Sequence, residues 1–224
     1  MLNYLIIKSQ IKIIIYRFRF IRKLLYKYKN NKKLKIFDKA NLKKDSIFVD
    51  LGGNLGLVSY YIHDKFDCNI FIYEPNPICF DILINNFKNY KKIHIFNKAV
   101  SNKNGRSKLY FSKENLDNIN YHAASTLEKS KKNIDKKNFK NIDLISIQKV
   151  IKQHKYIDLL KIDIEGSEYK ILPYITKNIN KFTKIYCEFH GRDEKNRFFT
   201  KKFRYWLKKI NSNNNYKKKI IPWI

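Results

Sequence analysis

One stretch of this 224-residue chain constrains its fold more than any other. An apolar run that begins at Ile47 ends in Asp50, and glycines follow at positions 52, 53 and 56. This order predicts a short strand, a glycine-rich turn and the first turn of a helix. Glycine permits positive φ and a close approach of ligand to backbone, and a helix start supplies unpaired N–H groups. We therefore expect a pocket here for a polar, partly charged small molecule.

The segments after this turn alternate between strand and helix patterns. Further strands are predicted at 68–73, 93–97, 142–145, 156–164, 183–189 and 216–221. Helices are predicted at 57–64, 77–88, 147–154, from after residue 168 to about 177, and at 193–210. Asn76 and Pro77 are suited to the cap and the first position of the second helix. This alternation predicts an α/β fold, Rossmann-like and doubly wound, with a mostly parallel sheet.

Two segments depart from the alternation. Residues 99–101 and 109–111 flank Asn104-Gly105, a pattern that predicts a β-hairpin. Residues 112–141 are polar and rich in lysine and asparagine. A connection of this length is rarely idle, so we expect a substrate loop or lid there.

The N-terminal segment, residues 2–28, is both apolar and basic. As a helix it would be amphipathic, with lysines and arginines on one face. Its uncharged runs fall short of the ~18 residues of a membrane span, and its charges interrupt any signal-peptide core. It is expected to lie on an anionic membrane surface, to pack on the domain or to cover the pocket. We therefore divide the chain into a basic N-terminal helix and linker, 1–44, and a domain, 45–224.

Charge is the dominant feature of the composition. Lysine and arginine total 48 against 19 acidic residues, a formal net charge of +29. Such an excess is typical of nucleic-acid binding. The lysines are nevertheless spread along the chain without a nucleic-acid motif, which favours a compositional bias toward lysine, asparagine and isoleucine, and nucleic acid is not the expected partner.

The cysteines indicate a compartment. Cys68, Cys79 and Cys187 are odd in number and lack metal-binding spacing, which predicts free thiols in a reducing environment. We expect a cytoplasmic protein, located at the inner face of a membrane if residues 2–28 bind lipid.

Polar side chains follow the ends of several predicted strands: Asp50, Glu74, Asp163, Glu188 and His190. Ligands of open α/β sheets bind beyond these carboxyl ends, so the cluster marks a functional edge. The glycine turn departs from the G-x-G-x-x-G of dinucleotide sites, and its preceding acid would repel a pyrophosphate. Glu74 is placed to accept hydrogen bonds from ribose hydroxyls. A ribose, a cationic amino-acid head and no phosphate describe S-adenosylmethionine.

Four motifs carry a resemblance to a known family: Val49-Asp50-Leu51-Gly52-Gly53-Asn54-Leu55-Gly56, Tyr73-Glu74-Pro75-Asn76-Pro77, Asn97-Lys98-Ala99-Val100-Ser101 and Leu160-Lys161-Ile162-Asp163-Ile164-Glu165-Gly166-Ser167-Glu168. From about residue 45 to 191 the chain resembles the FkbM-type methyltransferases, a class I group that uses S-adenosylmethionine. The resemblance implies O-methylation, often of sugars, glycans or natural-product hydroxyls. This chain departs from the family at two positions. Gly53 stands where alanine is usual, and Gln148 stands where such proteins often have an acidic residue after a Ser/Thr-Leu pair.

The resemblance and the positions of these residues together imply roles in binding the cofactor. The residues expected to hold its methionine end are Asp50 and the backbone of Gly52, Gly53, Asn54 and Gly56. Glu74 is expected to bind the ribose, Ala99 to flank the adenine and Asp163 to face the sulfonium.

The catalytic roles have several alternatives. Asp163 or His190 is a candidate for receiving the proton of the acceptor hydroxyl. Asp163, Glu188 and His190 are also candidates for binding a divalent ion that polarises this hydroxyl. A third alternative is that Glu188 and His190 form a hydrogen-bonded pair that orders the strand end.

The expected function is methyl transfer to a hydroxyl of a sugar, glycan or related small molecule. A first alternative is an RNA methyltransferase, which the charge favours. The segment after Asp163 lacks the Asn/Asp-Pro-Pro-Tyr/Phe motif of amino-directed base methylases. A second alternative is a non-catalytic membrane-surface protein that retains a cofactor fold.

Overall fold

A computed structural model of the protein describes residues 34–112, 125–131, 134–191 and 197–223. Its strands are Ile47–Leu51 (β1), Asn69–Tyr73 (β2), Ile93–Phe96 (β3), Ala99–Ser101 (β4), Gly105–Ser112 (β5), Ile134–Ser146 (β6), Ile157–Ile162 (β7), Phe182–Glu188 (β8) and Ile220–Trp223 (β9). Its α-helices are Leu57–Phe66 (α1), Pro77–Phe87 (α2), Ile147–Lys152 (α3), Glu168–Lys177 (α4), Arg197–Asn211 (α5) and Asn214–Lys219 (α6). Lys35–Ala40 and Ile179–Lys181 are 3₁₀ helices.

The central sheet has six strands in the order β3-β2-β1-β7-β8-β9, and every neighbouring pair is parallel. Its strands are apolar and largely buried, as expected of strands covered by helices on both faces. The chain builds one half outward from β1 and the other outward from β7, so the strand order reverses between them. The Rossmann-like, doubly wound fold predicted from the sequence is confirmed, with its switch point at β1 and β7.

Two helix starts follow from local sequence signals. Asn76 caps α2 by accepting the Ile78 N–H at 3.0 Å, and Pro77 occupies the first turn. Ser146 caps α3 by accepting the Lys149 N–H at 3.2 Å. The Asn76 cap predicted from the sequence is confirmed.

A second, three-stranded sheet has the order β4-β6-β5, with β6 parallel to β4 and antiparallel to β5. The predicted hairpin of 99–101 with 109–111 is therefore wrong, because β6 lies between its two arms. The predicted lid is also shorter than 112–141, since residues 134–141 extend β6. Most side chains of this extension are partly or fully exposed, which explains why its polar sequence resembled a loop. Residues 113–124 of the predicted lid lie outside the described residues.

Both ends of the described chain differ from expectation. Phe37, in the predicted linker, is fully buried, and its ring lies 5.0 Å from that of Tyr186 and 5.3 Å from that of Trp223. The segment from 34 to 42 thus packs on the sheet. At the other end α6 covers most of the predicted strand 216–221, which begins only at Ile220.

The predicted helix at 2–28 lies outside the described residues. Within the described ranges, helices with the length and apolar content needed to cross a membrane are absent.

Candidate functional site

The glycine turn is packed against the end of β7. Gly52 has φ +80°, and its N–H donates to the Tyr73 carbonyl oxygen at 2.9 Å. A Cβ at this position would collide with the Asp163 carbonyl oxygen, so only glycine meets both requirements. Asn54 follows with φ 47°, and its N–H donates to Glu74. The turn thereby joins the ends of β1, β2 and β7.

A buried lysine connects this turn to the end of β7. Lys161 Nζ donates to the Gly52 carbonyl oxygen at 2.7 Å and lies 3.1 Å from Asp50 Oδ1 and 3.6 Å from Asp163 Oδ2. Burial opposes its charge, but Asp50 and Asp163 raise the pKa of Lys161. Ser59 Oγ donates to the other Asp50 oxygen at 2.7 Å. Asp50 is fully buried and supports the turn from behind, although the sequence predicted direct contact with the cofactor.

Glu74 presents an acceptor at the end of β2. Its Oε2 accepts the Asn54 N–H at 2.7 Å, and its Oε1 accepts the Asn76 N–H at 2.8 Å. Burial raises the pKa of Glu74 to about 7, although these two hydrogen bonds favour the charged form. Each carboxylate oxygen has further acceptor capacity. The side chain is therefore fixed in place and can still bind hydroxyl groups of a ligand.

A pocket opens at the switch point, with about 590 Å³ of space including the part open to solvent. It is lined by Gly52, Asn54, Tyr73, Glu74, Pro75, Ala99, Val100, Leu109, Ser125, Thr126, Leu127, Asp163, Ile164, Glu165 and Ser167. These lining residues include three carboxylates and no lysine or arginine. In a chain with 48 lysines and arginines, the pocket is a local acidic region.

The structure brings about half of the predicted site residues to this pocket. Those that line it are Gly52, Asn54, Glu74, Ala99 and Asp163, and those that do not are Asp50, Gly53, Gly56, Glu188 and His190. Added Cβ atoms on Gly53 and Gly56 would collide with side chains of β2 and α2, so these glycines allow the turn to pack on the domain.

One wall of the pocket is formed by residues 125–131, which cross from β5 toward α4. Thr126 Oγ1 donates to the Glu165 carbonyl oxygen at 2.6 Å. Glu128, which is buried, accepts a hydrogen bond from Ser167 Oγ at 2.8 Å. This segment, part of the predicted substrate loop, thus fixes the loop that follows β7.

His190 lies between two carboxylates. Its Nε2 is 3.3 Å from Glu165 Oε2, and its Nδ1 is 3.3 Å from Glu168 Oε1. Burial opposes the imidazolium charge, but the hydrogen bonds with Glu165 and Glu168 raise the pKa of His190 to about 11. A histidine that is protonated at neutral pH cannot receive a proton from a substrate. The arrangement favours the structural alternative for His190, in which its cation holds both carboxylates, over the predicted base role.

Asp163, like Glu74, lines the pocket and has a raised pKa, and it is the more exposed of the two. Its side chain is 26% exposed and lines the pocket. Burial raises the pKa of Asp163, although Lys161 opposes this shift. Burial and the charge of Asp163 also raise the pKa of Glu188, which lies away from the pocket lining. Of the two predicted acid candidates, Asp163 is the one placed to contact a ligand.

Three residues of the described chain have ligand atoms within 4.8 Å of one another and are suited to a metal by residue type: Asp163, Glu165 and His190. Glu165 is the third member of this cluster, where the sequence predicted Glu188. A metal would need a neutral imidazole. Burial opposes the charge of His190, but its carboxylate neighbours raise its pKa, and Lys131 forms an ion pair with Glu165. A divalent ion would therefore have to displace both the His190 proton and the Lys131 ammonium group.

Sequence reasoning gave no role to Lys161, Glu165, Glu168 or Lys131. One signal was available, because Lys161 interrupts the apolar run of β7. A lysine within a buried strand is rare unless it is paired, so it indicates a buried carboxylate nearby. The contacts of the other three residues, Glu165, Glu168 and Lys131, depend on loop geometry that the sequence does not reveal.

The fold and pocket together define a Rossmann-like α/β protein with an acid-lined small-molecule site at its switch point. A family model described as the methyltransferase FkbM domain matches residues 50–218, well over half of the chain. The chain therefore belongs to the FkbM methyltransferase family, as the sequence motifs predicted.

Two individual proteins show shorter similarities. The methyltransferase sdnD of Sordaria araneosa is 41% identical over 51 residues, which cover 22% of this chain and 20% of that protein. The chain thus matches about a fifth of the length of this relative. A crystal structure of P. horikoshii TYW2 in complex with MeSAdo matches with a TM-score of 0.26 and 23% identity, over 28% of this chain and 25% of that one.

Proposed function

We propose that this protein is an S-adenosylmethionine-dependent methyltransferase acting on a hydroxyl of a sugar, glycan or related small molecule. The charge of the pocket is the observation that carries this proposal. Its lining has three carboxylates and no lysine or arginine among the described residues. S-adenosylmethionine has a sulfonium and an ammonium group and lacks phosphate, so its cations suit such a lining. A dinucleotide would place its pyrophosphate beside like charges.

The donor set fits the parts of this cofactor. Glu74 is a fixed acceptor for the two ribose hydroxyls, and Gly52 and Asn54, which are partly exposed and line the pocket, are assigned to the methionine end. Ala99 supplies an apolar wall for the adenine. When bound, the cofactor supplies an electrophilic methyl group on its sulfonium.

Asp163 is proposed to receive the proton of the acceptor hydroxyl. It lines the pocket beside the glycine turn, and its raised pKa makes it a better base than an ordinary aspartate. Lys161 and the Gly52 contact fix the position of its backbone and carboxylate. A carboxylate held in place in this way can also position the acceptor oxygen. This positioning contributes to the rate independently of proton transfer.

The net charge of +29 favours an RNA substrate as the second candidate. The acidic lining opposes it, because RNA would bring phosphates toward Asp163 and Glu165. Filter binding at physiological salt separates the two. Tight, sequence-selective binding of RNA would contradict the sugar-hydroxyl proposal.

Transfer of a labelled methyl group tests the reaction itself. We expect the wild-type protein to label hydroxyls in a panel of sugars and glycans and to leave RNA unlabelled. Asp163→Asn should lower kcat by roughly 100-fold or more, as expected when a general base is removed. Glu188→Gln is the matched control and should change kcat only slightly. Label in RNA alone, or full activity of Asp163→Asn, would refute the proposal.

A further inference from the structure

Among the four ranges that the structure describes, the last, residues 197–223, is the most one-sided in charge. It has nine basic residues and no aspartate or glutamate: Arg197, Lys201, Lys202, Arg204, Lys208, Lys209, Lys217, Lys218 and Lys219. The whole chain has 48 basic and 19 acidic residues. A general bias toward lysine does not account for the complete absence of acids here.

Helix α5 sorts these charges onto one face. Trp206 and Ile210 are buried in the main core, and Phe203 packs beside them. The opposite face shows exposed side chains at spacings of three, four and seven residues: Lys201, Arg204, Tyr205 and Lys208. We call these four residues the α5 stripe. Tyr205 is 60% exposed, so this basic surface includes a largely exposed aromatic ring, whose edge-on contact with Trp206 leaves most of it open.

The helix is anchored beside the functional edge of the sheet. The Phe203 ring lies 6.0 Å from that of Phe189, and Lys202 Nζ lies 5.8 Å from the Tyr169 ring centre. The Tyr169 hydroxyl donates to the His190 carbonyl oxygen. The α5 stripe is thus carried by a helix that packs next to the residues bordering the pocket.

We propose that the α5 stripe docks this protein on an anionic membrane surface. Each lysine or arginine close to an anionic leaflet strengthens binding by about a factor of five. An exposed tyrosine between such residues is suited to the lipid headgroup region, where aromatic side chains with a polar end concentrate. The α5 stripe lies on one convex helix face, which suits contact with a flat membrane surface. The acidic pocket nearby would repel the phosphates of a nucleic-acid strand. The proposal goes beyond methyl transfer and does not depend on it.

Vesicle co-sedimentation of the full chain at physiological salt tests this surface. The wild-type protein should bind vesicles of phosphatidylcholine with phosphatidylserine and not phosphatidylcholine alone. Arg204→Gln with Lys208→Gln should weaken binding by about 25-fold. The control, Lys43→Gln with Lys44→Gln, removes the same charge from two exposed lysines before β1 and should change binding less than about twofold. Equal losses in the two variants would overturn the proposal, because net charge alone would then explain binding.

A second variant separates lipid from nucleic acid without changing charge. Tyr205→Ser should weaken vesicle binding severalfold and leave the thermal unfolding temperature unchanged, since the ring is exposed. Unchanged vesicle binding would show that the ring does not contact lipid and would overturn the docking mode. Displacement of the protein from vesicles by single-stranded RNA, with the same dependence on Arg204 and Lys208, would assign the stripe to nucleic acid instead.

Discussion

At the scale of single residues, protonation decides what His190 can do. Its position at a strand end suggested a base, and its two carboxylate neighbours give it the opposite property. Because Glu165 and Glu168 stabilise the imidazolium, the cation holds the loop after β7 against the end of β8. The same interaction keeps the pKa of Glu165 at about 2 despite the burial of that carboxylate.

Removal of this cation should destabilise the fold. His190→Ala leaves the fully buried Glu168 without its cationic partner, whereas Glu165 keeps Lys131, and we expect the free energy of unfolding at pH 7 to fall by roughly 3–5 kcal/mol. Urea denaturation measures this change, with His94→Ala, an exposed histidine, as the control. An unchanged free energy of unfolding together with loss of activity would instead support a catalytic base.

The pH dependence of stability gives a second readout of the same residue. The pKa of His190 is raised from 6.5 to about 11 by folding. Its stabilising contribution is therefore complete below pH 6.5 and is lost as the pH rises toward 11. The His190→Ala variant should lack this part of the pH dependence, as measured by unfolding between pH 6 and 10.

Gly53 is a residue at which this chain departs from its family. A Cβ there would collide with Cγ2 of Ile72, which is fully buried. Gly53→Ala, the usual family residue, should therefore destabilise this protein by roughly 1–3 kcal/mol through overpacking. Ile72→Leu moves the branch away from Cβ and should recover part of the loss in the double variant. A Gly53→Ala protein as stable as the wild type would show that β2 adjusts without cost.

At the scale of secondary-structure elements, β1 and β7 are joined by more than backbone hydrogen bonds. Lys161 on β7 reaches the carboxylate of Asp50 and the carbonyl oxygen of Gly52 at the end of β1. Lys161→Met should cost roughly 3–5 kcal/mol, because Asp50 is left buried and unpaired. Adding Asp50→Asn should recover part of this cost. Urea denaturation of the four proteins measures the coupling, and strictly additive losses would contradict a direct ion pair.

Apart from β9, the elements of the central sheet could be predicted because local signals and long-range packing agree there. Apolar strands, the Asn76 cap and the glycine turn each indicate the same α/β pattern. The three-stranded sheet was missed because β6 enters between β4 and β5 from a distant part of the sequence. Its exposed lysines and asparagines give no alternation, and its backbone pairing with β5 is a tertiary property.

At the scale of the whole molecule, opposite charges are separated. The chain has a net charge of +29, whereas the described lining of its pocket is acidic. The sequence showed which acids follow strands, and the parallel sheet explains why Glu74 and Asp163 meet. It did not show that Asp50 is turned inward, because that depends on Lys161 from a strand more than 100 residues away.

The central claim is that Glu74 and the glycine turn bind S-adenosylmethionine, and isothermal titration with this cofactor tests it most directly. The wild-type protein should bind, with affinity that increases from pH 6 to pH 8 as Glu74, whose pKa is about 7, becomes ionised. Glu74→Gln should lose roughly 100-fold in affinity at pH 8, because two hydrogen bonds from ribose hydroxyls to a charged acceptor are weakened. Absence of binding at millimolar cofactor, or equal affinity in folded Glu74→Gln, would contradict the claim.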